Sequence, residues 1–111
     1  MKEIIAIIGG GIAGMEAAAQ LLKLGHAPII IEKSDRLGGH VARWNKLLPD
    51  LTPAGELIDR LTEACKEANI FLNTEVSIVN RLRDGYNIIL SNGITISTRH
   101  ILMTTGFKMF E

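Results

Sequence analysis

The hydrophobic residues of the chain fall into short continuous runs and longer one-sided segments. Residues 4–8 and 28–31 carry continuous apolar runs, which are typical of strands buried on both faces in a parallel sheet covered by helices. Between them, residues 12–24 are mostly Ala, Leu, Met, Glu and Gln, which favour a helix. Gly25 can adopt the left-handed conformation that ends many helices. A strand, a helix and a strand in this order predict a right-handed crossover unit.

A second helix is predicted near the middle of the chain. Thr52-Pro53 indicates its start, because a hydroxyl side chain precedes Pro at the first helical position. One apolar helical face then continues to about Asn69. It comprises Leu57, Ile58, Leu61, Cys65 and Ala68. Residues 70–72 are expected to form a third parallel strand.

The last third of the chain alternates short β-branched segments with turn residues. The segments span residues 76–82, 86–90 and 94–97, with Gly85 and Asn92-Gly93 at the turns between them. Asn-Gly between apolar runs is a strong hairpin signal, so a three-stranded antiparallel β-meander is predicted at about 76–97. A final apolar segment follows at 101–103. The whole pattern predicts one α/β domain over residues 1–111, with a mainly parallel sheet flanked by helices plus the meander.

Composition excludes several classes of function. Twelve basic and twelve acidic residues cancel, and without a basic stripe we expect no nucleic-acid partner. The apolar runs are far shorter than the roughly 20 residues that span a bilayer, so no membrane association is expected. No export signal is apparent, which favours a cytoplasmic location. Cys65 is the only cysteine, so neither an internal disulfide nor a multi-cysteine metal site is predicted.

The clearest candidate chemistry lies in Gly9-Gly10-Gly11-Ile12-Ala13-Gly14, which has the spacing G-x-G-x-x-G. Gly9 permits the sharp turn out of the strand, Gly11 lets the backbone approach a diphosphate, and Gly14 lets the helix pack closely against the strand. The start of the helix then directs free amide donors and the positive end of its dipole toward the phosphates. A purely structural glycine turn is the alternative interpretation.

Glu32 completes this motif. It ends the second predicted strand 21 residues after Gly11, where a carboxylate can accept hydrogen bonds from ribose hydroxyls. A carboxylate at this place also disfavours a 2′-phosphate, so NADP is the less favoured dinucleotide. The glycines and the acid together predict a Rossmann-type site for an adenine dinucleotide.

Two further motifs stand at Arg36-Leu37-Gly38-Gly39 and at Met103-Thr104-Thr105-Gly106. They resemble the R-x-G-G and A-T-G motifs of the two-dinucleotide-binding flavoproteins, the group of glutathione reductase and its relatives, with Thr104 in place of the usual Ala. The resemblance covers nearly the whole chain and includes the meander. It implies an FAD-binding Rossmann-type domain, because NAD-only domains usually lack the glycine pair and the meander. NAD is the alternative cofactor.

A narrower likeness covers residues 38–52, which resemble the flavin subunit of heterodisulfide reductases and similar electron-transferring flavoproteins. The chain departs from these relatives because it has no cysteine cluster for iron–sulfur centres. It also lacks the later segment whose acidic residue binds the ribityl chain in the relatives. We therefore expect either an excised domain or a flavin site that is completed by a partner protein, a missing domain or a second copy in a homo-oligomer.

The resemblance also implies which residues contact the cofactor. Those expected at the diphosphate and the adenosine ribose are Gly9, Gly11, Ile12, Ala13, Gly14, Glu32 and Lys33. Those expected to line the path toward the flavin are Gly38, Gly39, His40 and Val41. Val76 matches a position whose backbone contacts adenine, and Thr105 with Gly106 would close the pocket.

Several other side chains have both a functional and an ordinary interpretation. Arg43 could neutralise a phosphate and Trp44 could stack on a ring, or the aromatic could simply cover the sheet edge. Cys65 lies on an apolar helix face and is interpreted as a core residue rather than a redox thiol. His26 is expected to be a solvated loop residue and His100 a surface residue.

No catalytic residue is predicted, because the sequence shows no Ser-His-Asp array, no paired-carboxylate site and no metal-binding helix motif. Any chemistry would come from the cofactor, with the protein supplying position and electrostatics. The leading hypothesis is an FAD-binding domain or small subunit of an oxidoreductase, incomplete on its own, that holds the flavin for hydride or electron transfer to a partner or missing domain. The alternatives are a non-catalytic module that binds NAD or ADP, and an assembly subunit with a vestigial pocket.

Overall fold

The computed structural model describes residues 2–38 and 52–104, with the backbone alone for residues 52–55. The helices and strands in chain order are β1 (Ile4–Ile8), α1 (Ile12–Lys23), β2 (Ala27–Ile31), α2 (Thr52–Ala64), β3 (Asn69–Phe71), β4 (Val76–Leu82), β5 (Gly85–Leu90), β6 (Thr95–Thr98) and β7 (His100–Met103).

Four of these strands form a parallel sheet in the order β3-β2-β1-β7. In the register of this sheet Ile8 lies opposite both Ile31 of β2 and Met103 of β7. The carboxyl ends of the three strands therefore meet at one edge of the sheet. This edge is where ligands bind in open α/β sheets, and it brings together the segments that follow Ile8, Ile31 and Met103.

The remaining strands form the antiparallel meander β4-β5-β6. Ile88 in its central strand lies opposite Val79 on one side and Ile96 on the other. At the turn between β5 and β6, Gly93 has a φ of 88°, and its N–H donates to the Leu90 carbonyl at 2.9 Å. The predicted meander and its Asn-Gly turn are confirmed.

The core consists of two clusters, one on each face of the parallel sheet. On one face, Ala6, Ile29 and Ile31 pack against Ile88 and Leu90 of the meander. On the other face, Ile7 and Ile30 pack against Met15, Ala18 and Cys65, which come from α1 and the end of the α2 region. In the described residues, helices cover one face of the sheet, as predicted, and the meander covers the other face, which the sequence did not predict.

The end of α1 shows why the chain turns at Gly25. Gly25 has a φ of 87°, and its N–H donates to the Leu22 carbonyl at 3.0 Å. The N–H of His26 donates to the Leu21 carbonyl at 2.9 Å. This pair of hydrogen bonds is the Schellman motif, which satisfies the last carbonyls of a helix.

Several boundaries differ from the prediction, among them the start of β2 and the end of α2. Strand β2 begins at Ala27, whose N–H donates to the Glu3 carbonyl at 2.8 Å, so Pro28 is the second residue of the strand. The missing N–H of Pro28 costs no ladder bond, because β3 pairs with β2 only from Ile29 onward. Helix α2 ends at Ala64 rather than near Asn69.

Candidate functional site

The segment after β1, Gly9–Gly11, is here called the glycine turn. Gly9 has a φ of 114°, a conformation that L side chains rarely adopt. Its N–H donates to the Ile31 carbonyl at 2.9 Å, which joins the turn to the end of β2. A Cβ at Gly9 would also lie 2.8 Å from Oγ1 of Thr104. The turn therefore requires glycine at this place for both backbone conformation and space.

The start of α1 lies directly against this turn. A Cβ added at Gly14 would collide with the carbonyl oxygen of Gly9, so the absence of a side chain lets the helix approach the strand end. The first helical hydrogen bond runs from the Met15 N–H to the Gly11 carbonyl at 2.9 Å. The amides of Ile12, Ala13 and Gly14 precede it and are the free donors that an anion can bind at a helix start.

Gly11 differs from the other two glycines of the motif. Its φ of −76° and ψ of −169° are accessible to any residue. Apart from Gly11 and its two chain neighbours, none of the residues that the structure describes has an atom within 4 Å of a Cβ built at Gly11. The contacts of the described residues therefore do not require glycine here, whereas close approach of a ligand to the backbone would.

Glu32 lies directly beside the glycine turn. Its Oε1 accepts the N–H of Gly10 at 2.6 Å, and its Oε2 accepts the N–H of Ser34 at 2.8 Å. Burial by itself raises the pKa of the carboxyl, but the hydrogen bonds from Ser34 and Gly10 and the charge of Lys33 outweigh it, so the pKa lies below its ordinary value. Glu32 is therefore a fixed carboxylate at neutral pH.

Leu37 and Gly38 of the R-x-G-G motif pack onto the same turn. The N–H of Gly38 donates to the Gly10 carbonyl at 2.7 Å, and Gly38 has a φ of 98°. A Cβ at Gly10 would lie 2.6 Å from Cδ2 of Leu37 and 3.2 Å from Oε1 of Glu32. Gly10 is thus in contact with Glu32, Leu37 and Gly38.

The last strand supplies a further contact. Oγ1 of Thr104, which follows β7, lies 2.9 Å from the Gly9 carbonyl oxygen and 3.1 Å from that of Ile8. The N–H of Thr104 donates to the Ile8 carbonyl at 2.9 Å. The predicted motif at 103–106 therefore begins in contact with the glycine turn.

The other predicted site residues divide into two groups. Lys33 is exposed next to Glu32, and Val76 opens β4, two residues after Thr74, whose N–H donates to the Glu32 carbonyl at 3.0 Å. The second group lies outside the described residues and comprises Gly39, His40, Val41, Arg43, Trp44, Thr105 and Gly106.

The ordinary interpretations of the remaining candidates can also be compared with the structure. Cys65 is fully buried in the helix-side cluster, and burial raises the pKa of its thiol, so the core interpretation is confirmed. His100 is a surface residue, with 63% of its side chain exposed. The expectation for His26 was wrong, because it is half-buried and its Nδ1 accepts the Glu3 N–H at 3.1 Å.

Two contributors to the site were not among the predicted residues. Gly10 is a variable position of the G-x-G-x-x-G motif, although the run of three glycines marks it as unusual. Thr104 replaces the usual Ala of the A-T-G motif, and that replacement is the signal in the sequence that could have identified it. Within residues 2–38 and 52–104, no group of three potential metal ligands occurs. In the same ranges, no helix has the length and apolar character needed to cross a membrane.

Comparison with known proteins agrees with this geometry. The family described as "NAD(P)-binding Rossmann-like domain" matches residues 7–71. The chain is 32% identical over 81 residues to an iron-sulfur subunit of the CoB–CoM heterodisulfide reductase of Methanopyrus kandleri, a match covering 72% of this chain and 12% of that protein. It is 30% identical over 116 residues to the ferredoxin–NADP reductase of Leuconostoc mesenteroides, covering 96% of this chain and 34% of that protein.

Solved structures show the same fold. A pyridine nucleotide-disulfide family oxidoreductase from Enterococcus faecalis superposes with a TM-score of 0.65 and 20% identity, covering 95% of this chain and 22% of that one. The resemblance to the two-dinucleotide-binding flavoproteins, and the narrower one to heterodisulfide reductases, is thus confirmed. The chain spans about an eighth to a third of the length of these curated relatives.

Proposed function

Because the chain belongs to the family of NAD(P)-binding Rossmann-like domains, we propose that residues 1–111 form one FAD-binding domain or small subunit of an oxidoreductase. The glycine turn and the first turn of α1 hold the diphosphate, and Glu32 with Lys33 holds the adenosine ribose. FAD, when bound, accepts and donates hydride or single electrons. The protein contributes position and electrostatics.

The observation that carries the proposal is the difference between Gly11 and its neighbours. Gly9 and Gly14 are required by contacts within the chain, whereas a Cβ at Gly11 meets no described atom within 4 Å. An open glycine directly before three free helix amides is the arrangement that lets a diphosphate approach the backbone. The donors and the space thus fit this group.

Glu32 supports the adenosine half of the site. Each carboxylate oxygen accepts one backbone N–H and keeps a further lone pair, so two ribose hydroxyls can still donate to it. Because the lowered pKa keeps the group charged, a 2′-phosphate next to it would be repelled. Dinucleotides without a 2′-phosphate, such as FAD and NAD, are therefore preferred to NADP.

The preference for FAD over NAD rests on the second half of the site. The hydrogen bond from Gly38 to Gly10 directs the R-x-G-G segment past the diphosphate. In the proposal Gly39, His40, Val41 and Arg43 continue this path toward the flavin, Val76 contacts adenine, and Thr105 with Gly106 closes the pocket. A partner protein, a further domain or a second copy completes the flavin site and exchanges electrons with it. The names of two relatives, a heterodisulfide reductase subunit and a ferredoxin–NADP reductase, are those of oxidoreductases.

A titration of the purified chain with FAD, NAD, ADP and AMP tests the proposal. We expect FAD to bind more tightly than ADP, and ADP more tightly than AMP, because each step adds a group with its own contacts. Equal affinities for FAD and ADP would show that the flavin half contributes nothing, and the chain would then be a non-catalytic module for adenine dinucleotides. Loss of any dinucleotide binding would leave only an assembly role.

A further inference from the structure

Thr104 occupies a position that the dinucleotide motif itself does not explain. Its hydroxyl oxygen lies 2.9 Å from the Gly9 carbonyl oxygen and 3.1 Å from the Ile8 carbonyl oxygen. Ile8 already receives the N–H of Thr104 at 2.9 Å. Among the described residues, the Thr104 hydroxyl is the donor to the Gly9 carbonyl. The hydroxyl has a single proton to donate, and the Gly9 carbonyl oxygen is the nearer of the two acceptors.

The two ends of one peptide group are therefore both held. The carbonyl of Gly9 and the N–H of Gly10 belong to the same planar unit and point in opposite directions. Thr104 donates to the carbonyl, and Glu32 accepts the N–H at 2.6 Å. Glycine on both sides leaves this peptide unusually free to rotate, so these two side chains supply the restraint that the backbone lacks.

We propose that Thr104 is a positioning residue of the diphosphate site, which fixes the Gly9–Gly10 peptide through its hydroxyl. By doing so it keeps the Gly10 N–H on Glu32 and sets the direction in which the chain enters Gly11 and the free amides of α1. The effect on ligand affinity rests on the proposed function, whereas the effect on the turn does not. An alanine at this position could not make the contact.

The chain offers a matched control at the other end of the same strand pair. Thr98 precedes β7 and is buried, and its hydroxyl oxygen lies 2.7 Å from the Ile4 carbonyl oxygen and 2.8 Å from that of His100. Thr98→Val removes the same kind of hydrogen bond, from a threonine hydroxyl to the backbone of β1, here donated from the last residue of β6. It does so at the amino end of the strands, away from the glycine turn.

The test compares the unsubstituted chain with Thr104→Val, Thr104→Ser and Thr98→Val. Amide hydrogen exchange of Gly10 is measured without ligand by NMR, relative to the core amides of Ile7 and Ile30, and ADP affinity is measured by titration. One hydrogen bond corresponds to about a two- to tenfold change in an equilibrium. We expect Thr104→Val to accelerate Gly10 exchange and to weaken ADP binding by this factor. Thr104→Ser, which keeps the hydroxyl, should leave Gly10 exchange and ADP affinity close to those of the unsubstituted chain. Thr98→Val should change neither Gly10 exchange nor ADP affinity.

The possible outcomes separate this inference from the proposed function. Unchanged Gly10 exchange in Thr104→Val would overturn the inference, as would unchanged ADP affinity in a chain that binds ADP. If the unsubstituted chain binds no ADP, the proposed function fails. Gly10 exchange alone then decides whether Thr104 holds the turn.

Discussion

Replacing Gly11 with Ala separates ligand binding from folding. The backbone at Gly11, with φ of −76° and ψ of −169°, is available to alanine. Replacing glycine with alanine raises the free energy of unfolding by ~0.4–1 kcal/mol, because it reduces the conformational entropy of the unfolded chain. Alanine is a poorer residue than glycine before a helix, by about 0.5–1 kcal/mol. These terms nearly cancel, so the free energy of unfolding should stay within about 1 kcal/mol of its original value.

Binding should respond quite differently. Apart from its chain neighbours, the added methyl group meets no described atom within 4 Å. It would project into the open space that the proposal assigns to the diphosphate. Forcing one extra methyl group into a filled contact costs about 1–3 kcal/mol. This corresponds to a dissociation constant for ADP or FAD raised about 5- to 150-fold. The assay is a titration monitored by calorimetry or flavin fluorescence, alongside urea unfolding.

Gly25→Ala is the control at the other end of α1. A Cβ at Gly25 also meets no described atom within 4 Å, but φ is +87°, which costs about 1–2 kcal/mol for a residue with a side chain. This variant should lose stability and keep its affinity, whereas Gly11→Ala should do the reverse. A folded Gly11→Ala chain with undiminished affinity would refute the placement of the diphosphate.

Three further predictions concern stability and reactivity. Gly14→Ala should lower the free energy of unfolding in urea by ~3 kcal/mol, because its Cβ collides with the Gly9 carbonyl; an unchanged midpoint would contradict the close helix packing. Burial raises the pKa of Glu32 but its hydrogen bonds lower it further, below the ordinary 4.5, so its stabilisation is present above pH 4.5 and is lost as the pH falls through the lowered value. The stability difference between the original chain and Glu32→Gln should therefore shrink between pH 7 and pH 3, and a constant difference would argue against a folded-state carboxylate. The fully buried Cys65 thiol, with its raised pKa, should react with a thiol reagent only after unfolding, and rapid reaction of the native chain would contradict the packing.

Much of the architecture follows from local patterns. The continuous apolar runs of β1 and β2 predict a sheet that is covered on both faces, and the structure places helices on one face and the meander on the other. Asn92-Gly93 predicts its turn because glycine readily adopts the positive φ that this turn has at Gly93. Elements whose local chemistry and burial agree in this way are readable from sequence.

The end of α2 shows where a local pattern fails. Cys65 still donates to Leu61 in the helical pattern at 3.0 Å, but the next bonds run from Lys66 to Glu63 and from Ala68 to Cys65, which is a tighter turn. The apolar residues at 65 and 68 keep a spacing of three through that turn. Their periodicity therefore continues after the helix has ended.

The site itself was predictable in its parts but not in its contacts. Gly9, Gly14 and Glu32 could be identified because the motif gives each of them a mechanical role. The hydrogen bond from Gly10 to Glu32 and the contact of Thr104 with Gly9 join positions 22 and 95 residues apart. Such pairings depend on strand register and tertiary packing, which no local window of the sequence contains.

The central claim is that the glycine turn and the start of α1 bind a diphosphate. Its most direct test is to follow the backbone amide resonances of the chain while ADP is added, with adenosine as the control that lacks phosphate. The account predicts that ADP shifts the amides of Gly11, Ile12 and Ala13 while adenosine leaves them in place. Shifts confined to other parts of the chain, or equal shifts with adenosine, would contradict it.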